Sequence, residues 1–202
     1  LTVYRDDVNG DPNALFDDPA YIALYDQNNN FVRAFEISNP SINPDVQSPI
    51  SNPCLEKPTN VRIQRAIYNF NITVPNGNLG YHLVYSRCCR NGALIDNLLN
   101  PDDEGATYTT FIPPTNTFQN SSPSFNRPPP IYICVQKPFS YDHSATDIDG
   151  DSLHYSLCSP YKGLDPNGPI IDQGSNPPRA AGGVPAFYGP PYTPVDYGTG
   201  FS

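Results

Sequence analysis

The stretch AIYNFNITVPNGNLGYHLVYSRCC, residues 66–89, decides the predicted fold. From Ala66 to Val74 every second side chain is apolar, which is the period of a half-buried β-strand. An Asn-Gly pair then supplies the positive φ that a tight turn needs. The run 81–89 follows as the expected partner strand, so the stretch predicts a β-hairpin with one buried face.

The same patterns recur on both sides of this stretch. AYIALYD, 20–26, and FVRAFEI, 31–37, flank the turn-prone QNNN and predict a hairpin, and ATYTTFI, 106–112, predicts a further strand. The chain holds 25 prolines and 14 glycines among 202 residues, which break helices and favour short strands. No long helical period is visible, although 91–100 could form a short helical turn. The predicted fold class is therefore all-β.

A change in composition divides the chain. Residues 113–130, PPTNTFQNSSPSFNRPPP, are rich in Pro, Ser and Asn and predict an extended connector. We therefore expect two tandem β-sandwich units of the Ig-like or cadherin-like kind, with long Pro/Gly-rich loops. Their expected bounds are 1–114 and 115–202, and the second unit is loop-rich from residue 159 onward.

The charge of the chain narrows the class of partner. The net charge is −9, with 20 acidic and 11 basic residues. A nucleic-acid-binding protein needs a basic surface, and an anionic membrane repels an acidic one, so neither is an expected partner. No segment approaches about 18 consecutive apolar residues, so direct membrane insertion is not predicted. Cations are the more natural small ligands.

An aspartate-rich stretch, DHSATDIDGDSLHYSLC at 142–158, is the strongest candidate site. Three of its aspartates have the i, i+2, i+4 spacing that lets carboxylates converge on one hard cation, with a glycine allowing the bend. The other EF-hand positions do not match, so we predict a structural calcium loop between two strands, 131–136 and 152–158. The alternative is a solvated acidic turn. The predicted ligands are Asp147, Asp149 and Asp151, with Asp142 and Asn120 completing the oxygen shell.

A second acidic cluster lies between Asp6 and Asp18. Its pattern is less ordered, and a polar loop is favoured there over a metal site. Clusters of this kind suit cations better than the separated acid–base pair of a glycosidase. The serine-nucleophile motif G-x-S-x-G is missing from the sequence. We therefore predict that the chain is not an enzyme, with a secreted hydrolase as the least favoured alternative.

The five cysteines predict disulfides in an oxidising compartment, because none has C-x-x-C spacing and no histidine stands at zinc-ligand spacing. Cys134 and Cys158 lie on corresponding faces of their predicted strands, which favours a cross-strand bridge. That bridge would close a loop of about 25 residues and stabilise by about 3 kcal/mol. Cys54 is expected to pair with Cys88 or Cys89, and the sequence does not choose between them. A vicinal Cys88–Cys89 bridge is the rarer option.

The C-terminal segment places aromatic residues among Pro and Gly. Tyr188, Tyr192 and Tyr197 could form a surface that stacks on sugars or contacts protein, which makes a carbohydrate-binding module the alternative function. Packing at a loop-rich end of a sandwich is the favoured interpretation. The absence of Trp weakens the carbohydrate interpretation further.

Three stretches resemble the start of large secreted surface proteins of Bacteroidota, which often end in gliding-motility-associated or type IX secretion sorting domains. They are LTVYRDDVNGDPN, 1–13, GYHLVYSRCCRN, 80–91, and the long motif that runs from NSSPSF to SPYKG, 120–163. Within the last, SATDIDGDSLHYSL resembles the calcium-binding stretch of cadherin-like domains. The resembling proteins have a Cys at the position of Asp7 and another near Arg62. Both are missing here, so no disulfide scheme carries over to the first unit.

The resemblance implies secretion, tandem β-sandwich modules and an adhesive or filament-building role. We therefore expect an extracellular structural or adhesive module of a bacterial cell-surface protein, rigidified by calcium and disulfides. Its expected partners are other copies of itself or neighbouring surface-protein domains, with glycans as the alternative.

Overall fold

The chain folds as antiparallel β-sheet. A computed structural model describes residues 1–46, 59–90, 92, 95–114, 120–131, 133, 136–163 and 189–198. Within these ranges the only helical element is a 3-10 turn at Pro101–Asp103, so the prediction of an all-β chain is confirmed. None of the described ranges contains a helix long and apolar enough to cross a membrane.

The described residues form nine strands in three sheets. In chain order the strands are β1 (Thr2–Asp6), β2 (Ala20–Asp26), β3 (Phe31–Ile37), β4 (Ser41–Asn43), β5 (Ile63–Ile67), β6 (Tyr81–Arg87), β7 (Ala106–Ile112), β8 (Ser124–Phe125) and β9 (Ala145–Thr146). The three sheets have the orders β1-β5-β4, β3-β2-β6-β7 and β8-β9.

The four-stranded sheet contains the predicted hairpin, which is confirmed. β2 and β3 pair antiparallel, and the Asp26 carboxylate organises the loop between them. One of its oxygens accepts the N–H of Asn28 at 2.8 Å and that of Asn30 at 2.9 Å. β2 lies between β3 and β6, and its residues from Ile22 to Tyr25 are all buried. This strand is therefore the centre of the sheet.

In the stretch 66–89 the observed strand pairing differs from the predicted pairing, but the side chains that point inward are the predicted ones. β5 ends at Ile67 and pairs with β1 and β4, whereas β6 pairs with β2 and β7. The predicted hairpin between 66–74 and 81–89 is therefore wrong. Burial still alternates from Ala66 to Val74, because a period of two specifies which side chains point inward but not which strand lies alongside.

The strands expected around the aspartates are replaced by a different ladder. Residues 152–158 are described and form no strand, and 131–136 lie only partly within the described ranges. Instead β8 pairs with β9, and β9 ends immediately before Asp147. Tyr155 reaches this ladder through its side chain, whose hydroxyl accepts the Ala145 N–H at 2.9 Å. The segment 152–158 therefore contacts its neighbour by a side chain rather than by a backbone ladder.

The chain divides into two compact units, each assembled from three segments. One comprises Leu1–Asp17, Asn39–Asn69 and Gln119–Ser156, and the other comprises Asp18–Ser38, Phe70–Phe118 and Leu157–Ser202. The first holds β1, β4, β5, β8 and β9, and the second holds the four-stranded sheet. These units are not the continuous domains expected at 1–114 and 115–202, and the tandem β-sandwich organisation stays a prediction.

Each unit has buried residues of its own. In the second unit Ala23, Tyr25 and Val84 form a cluster on one face of the sheet, and Tyr192 packs against it. In the first unit Tyr68 is 2% exposed, and its hydroxyl donates to the carbonyl oxygen of Asp17 at 2.7 Å.

Candidate functional site

The aspartate loop follows β9 and is held by its first aspartate. Asp147 Oδ1 accepts the backbone N–H of Asp149 at 2.9 Å and that of Asp151 at 3.2 Å. Gly150 has a φ of 82°, in the left-handed region that favours glycine. Asp147 is half-buried, and the other two aspartates are exposed. One carboxylate therefore shapes the loop and two face solvent.

The loop is joined to the Pro/Ser/Asn-rich connector. Asp149 Oδ2 accepts the backbone N–H of Ser121 at 2.6 Å, a bond between residues 28 positions apart. Asn120 is the adjacent residue, and its side-chain amide donates to the Ser121 carbonyl oxygen at 3.4 Å. The structure thus brings two predicted ligands, Asn120 and Asp149, into the same neighbourhood. Ser121 was not predicted, because nothing local in the sequence marks a backbone contact.

Asp142 has different partners. Its carboxylate accepts the Ser144 N–H at 2.9 Å and lies 4.0 Å from the Arg127 guanidinium. The hydrogen bonds from Ser144, aided by the charges of Arg127 and His143, hold the pKa of Asp142 below its ordinary value. Among the described residues its contacts are thus on the N-terminal side of β9, away from the 147–151 turn.

The donor chemistry of the loop suits calcium, but the described residues do not converge as a ligand set. Carboxylate and amide oxygens are the ligands that Ca²⁺ takes. In the described part of the chain, no three Asp, Glu, His or Cys side chains are placed to hold one ion together. The calcium site at Asp147, Asp149 and Asp151 stays a prediction.

The second acidic cluster is used in a turn and in ion pairs. The Asp6 carboxylate accepts the Asn9 backbone N–H at 3.0 Å and the Asn9 side-chain amide at 2.9 Å. Burial alone would raise the pKa of Asp6, but these hydrogen bonds hold it below its ordinary value. Asp7 contacts the Arg62 guanidinium and lies 3.7 Å from that of Arg5. These contacts favour the polar-loop interpretation.

Asp7 and Arg62 lie side by side at the ends of β1 and β5. The Asp7 N–H donates to the Arg62 carbonyl oxygen at 2.9 Å, and Arg62 Nε donates to Asp7 Oδ2 at 2.6 Å. The resemblance to surface proteins implies a cysteine at the position of Asp7 and another near Arg62. In this chain an ion pair lies at the first of these positions and joins it to Arg62.

The cysteines correct one predicted pairing. Cys88 and Cys89 are bridged to each other, with Cα atoms 3.1 Å apart, so Cys89 does not pair with Cys54. β6 ends at Arg87, and the two cysteines are therefore free of the alternation that points neighbours in a strand to opposite faces. Cys158 is an exposed free thiol. The predicted Cys134–Cys158 bridge is therefore not formed in this structure. Cys54 and Cys134 lie outside the described residues.

The described part of the tyrosine-rich segment, 189–198, packs onto the four-stranded sheet through Tyr192. Tyr192 lies against the cluster of Ala23, Tyr25 and Val84, and burial raises the pKa of Tyr192 to about 12. Tyr197 is 38% exposed and bridges Leu98 through its backbone. Tyr188 lies outside the described residues. The packing interpretation therefore gains support at Tyr192.

A polar clamp that the sequence did not indicate holds the segments beside β7. Arg90 donates to the carbonyl oxygen of Gly105 at 3.2 Å and to that of Tyr161 at 3.0 Å. Lys162 Nζ lies 3.4 Å from the Glu104 carboxylate and 2.8 Å from that of Asp196. The hydrogen bond to Asp196 raises the pKa of Lys162.

The chain matches no protein-family model, no curated protein and no solved structure. Its resemblance to Bacteroidota surface proteins therefore rests on the three stretches of sequence quoted above. What the molecule can do follows from the geometry of its own loop and sheets.

Proposed function

We propose that this chain is an extracellular structural or adhesive module of a bacterial surface protein, able to build filaments with other copies. Calcium at the aspartate loop and disulfides stiffen its all-β framework. The observation that carries the proposal is the 2.6 Å hydrogen bond between Ser121 and Asp149, because it ties the connector to the loop. Stiffening the loop would therefore stiffen the connector as well.

Calcium would act by neutralising charges that now repel. Three carboxylates lie within five consecutive residues, 147–151, and like charges this close favour a bound cation. Asp147, Asp149 and Asp151 would hold the ion, with the Asn120 side-chain oxygen drawn in from the connector. Asp142 would join only by giving up its bond to Ser144. The ion supplies charge neutralisation and cross-linking when bound.

The Cys88–Cys89 bridge supports the extracellular part of the proposal, because disulfides persist in oxidising compartments. The acidic net charge of −9 favours a soluble, cation-attracting surface.

The carbohydrate-binding alternative gains nothing from Tyr192, whose ring is engaged in packing. An absence of binding to any glycan on a glycan array would count against that alternative.

Thermal unfolding with calcium and with EDTA tests the calcium site. A ligand at about a hundred times its Kd stabilises by about 2.7 kcal/mol, which corresponds to a Tm increase of about 5–10 °C for a chain of this size. We expect that increase with Ca²⁺ and a smaller one with Mg²⁺, which demands stricter octahedral geometry.

Asp149→Asn and Asp103→Asn form a matched pair for this test. Asp149→Asn should abolish most of the calcium-dependent increase in Tm, whereas Asp103→Asn, an exposed aspartate of the 3-10 turn, should leave it intact. Equal Tm values in calcium and EDTA would contradict the calcium site.

Electron microscopy of purified protein tests filament building, since a filament subunit gives ordered fibres.

A further inference from the structure

β7 is an edge strand, and on one side the described residues leave it almost unoccupied. It pairs with β6 along its whole length, from Tyr81↔Ile112 to Arg87↔Ala106. On its other side the described residues contribute a single bridge, between Thr107 and Tyr161. The backbone of 108–112 therefore has no ladder partner on that side within the described ranges.

The other edges of the two larger sheets carry features that discourage pairing with another chain, and β7 does not. β3 carries Arg33 and Glu36, β1 carries Arg5 and Asp6, and β4 is three residues long. Charged side chains and short length are the usual means of blunting a sheet edge. β7, with the sequence ATYTTFI, has neither a charge nor a proline.

Two of the four exposed side chains of β7 are large and aromatic. Tyr108 is 60% exposed and Phe111 is 49% exposed, and because their positions differ by three they lie on opposite faces of the strand. Tyr108 stacks on Tyr85 at 6.3 Å, and Phe111 lies 5.0 Å from the His82 ring. A strand added at this edge would therefore find an apolar side chain on each face.

We infer that this edge binds the β7 edge of a second copy of the chain, antiparallel and about a two-fold axis through Thr110. In such a pair, opposed residues must lie on the same face, so the axis falls on a residue. An axis at Thr110 uses all of 108–112 and leaves the Thr107–Tyr161 bridge in place. Thr110 then opposes Thr110 of the second copy, Thr109 opposes Phe111, and Tyr108 opposes Ile112.

The composition of β7 suits pairing with a second copy of the same strand. Threonine pairs and aromatic pairs with β-branched residues are favourable cross-strand contacts, each worth about 0.2–1 kcal/mol. No charge on the strand opposes the contact, although the chain as a whole carries −9. A five-residue edge buries less than the roughly 1,200 Å² of a stable interface, so the dimer should be concentration-dependent.

Sedimentation equilibrium over a wide concentration range tests the inference. The wild-type chain should form a dimer as concentration rises. Thr110→Lys should weaken the dimer at least about tenfold, because two ammonium groups would face each other on the axis. Val32→Lys, an exposed position on β3 at the opposite edge of the sheet, should leave dimerisation unchanged. A wild-type monomer at every concentration, or aggregation that Thr110→Lys does not reduce, would overturn the inference.

Cross-linking tests the register independently of how well Thr110→Lys folds. In a Cys158→Ser background, Thr110→Cys should be oxidised to a disulfide-linked dimer by oxidised glutathione. Thr109→Cys, one residue off the axis, should cross-link at least about tenfold more slowly, because it faces Phe111. Equal rates would contradict the register.

This pairing gives the proposed structural role a defined surface and rests on that role for its biological meaning. The two can fail separately. A monomer that still gains thermal stability with calcium would overturn the β7 pairing and leave the calcium-stiffened module standing. A dimer whose thermal stability does not respond to calcium would overturn the calcium site and leave the β7 pairing standing.

Discussion

At the scale of single residues, the side chains of Asp7 and Arg62 form an ion pair that joins the ends of β1 and β5. Their side chains meet where the ladder ends, but the Arg62 side chain is 55% exposed. A solvent-exposed ion pair contributes only about 0–1 kcal/mol, because water screens it. The pair therefore specifies position more than it stabilises the sheet.

Replacing this ion pair by a disulfide should stabilise the chain strongly. Asp7→Cys with Arg62→Cys would bridge residues 55 positions apart, and closing a loop of that length is worth about 4 kcal/mol in the chain-entropy model. Urea unfolding of the oxidised and reduced double variant measures the gain. The Asp7→Cys single variant is the control, and equal midpoints for the oxidised and reduced forms would contradict the prediction.

Residue roles that depend on neighbours in sequence were predictable. Gly150 takes the positive φ that its place among aspartates indicates, and Asp26 accepts the loop N–H groups expected of a turn aspartate. The Ser121–Asp149 bond was not predictable, because it joins backbone and side chain across 28 positions. The sequence left the partner of Cys54 open between Cys88 and Cys89 and gave the vicinal Cys88–Cys89 bridge as the rarer option, but the structure shows the vicinal bridge.

At the scale of elements, three of the four strands of the large sheet were predicted with their bounds, β6 ends two residues before its predicted end, and the strand at 152–158 was predicted wrongly. β2, β3 and β7 match their patterns because each lies against at least one partner in the ladder. Leu157 belongs to the alternating apolar pattern of 152–158 but is fully exposed. The segment therefore has the sequence pattern of a strand, but no sheet covers its apolar side chains. Alternation alone therefore overpredicts strands in this chain.

Tyr192→Phe should change stability at high pH and little at neutral pH. Its hydroxyl has no hydrogen-bond partner among the described residues, although the nearby Thr109 side chain lowers its pKa against the larger effect of burial. Burial raises the pKa to about 12, above the unfolded value of about 10. Stability is therefore fully present below pH ~10 and falls as the pH rises toward 12.

Urea unfolding at pH 7 and in the alkaline range measures this effect. Tyr192→Phe should flatten the alkaline loss of stability, whereas Tyr108→Phe, at an exposed position, should not. An identical alkaline loss in wild type and Tyr192→Phe would contradict a buried Tyr192. Tyr25, whose pKa burial also raises to about 12, accounts for alkaline loss that remains.

At the scale of the whole molecule, composition predicted the fold class but not the organisation of the units. Proline density and alternating patterns were enough to predict an all-β chain. The two units are assembled from segments that alternate along the chain, with Asn39–Asn69 in one and Phe70–Phe118 in the other. Composition reports where a connector lies, but it carries no information about which distant segment packs against which.

Reducing the protein should change its global stability little if Cys88–Cys89 is its principal bridge. A bridge between adjacent residues closes almost no loop and contributes about 1 kcal/mol in the chain-entropy model, against about 3 kcal/mol for a Cys134–Cys158 bridge. Thermal unfolding with and without dithiothreitol, with disulfides mapped by mass spectrometry, measures the difference. A large fall in Tm on reduction would indicate a long-range bridge instead.

The packing of Tyr192 onto β2 and β6 also constrains when the second unit can mature. An added Cβ at Gly189 would lie 2.6 Å from the Tyr25 hydroxyl, so this late segment closes tightly over the sheet. β2, β3 and β6 are synthesised well before the residues that cover them. Until residues 189–195 have been added, the face around Ala23 and Val84 is exposed to water, and a partly synthesised chain presents an apolar surface that is prone to association.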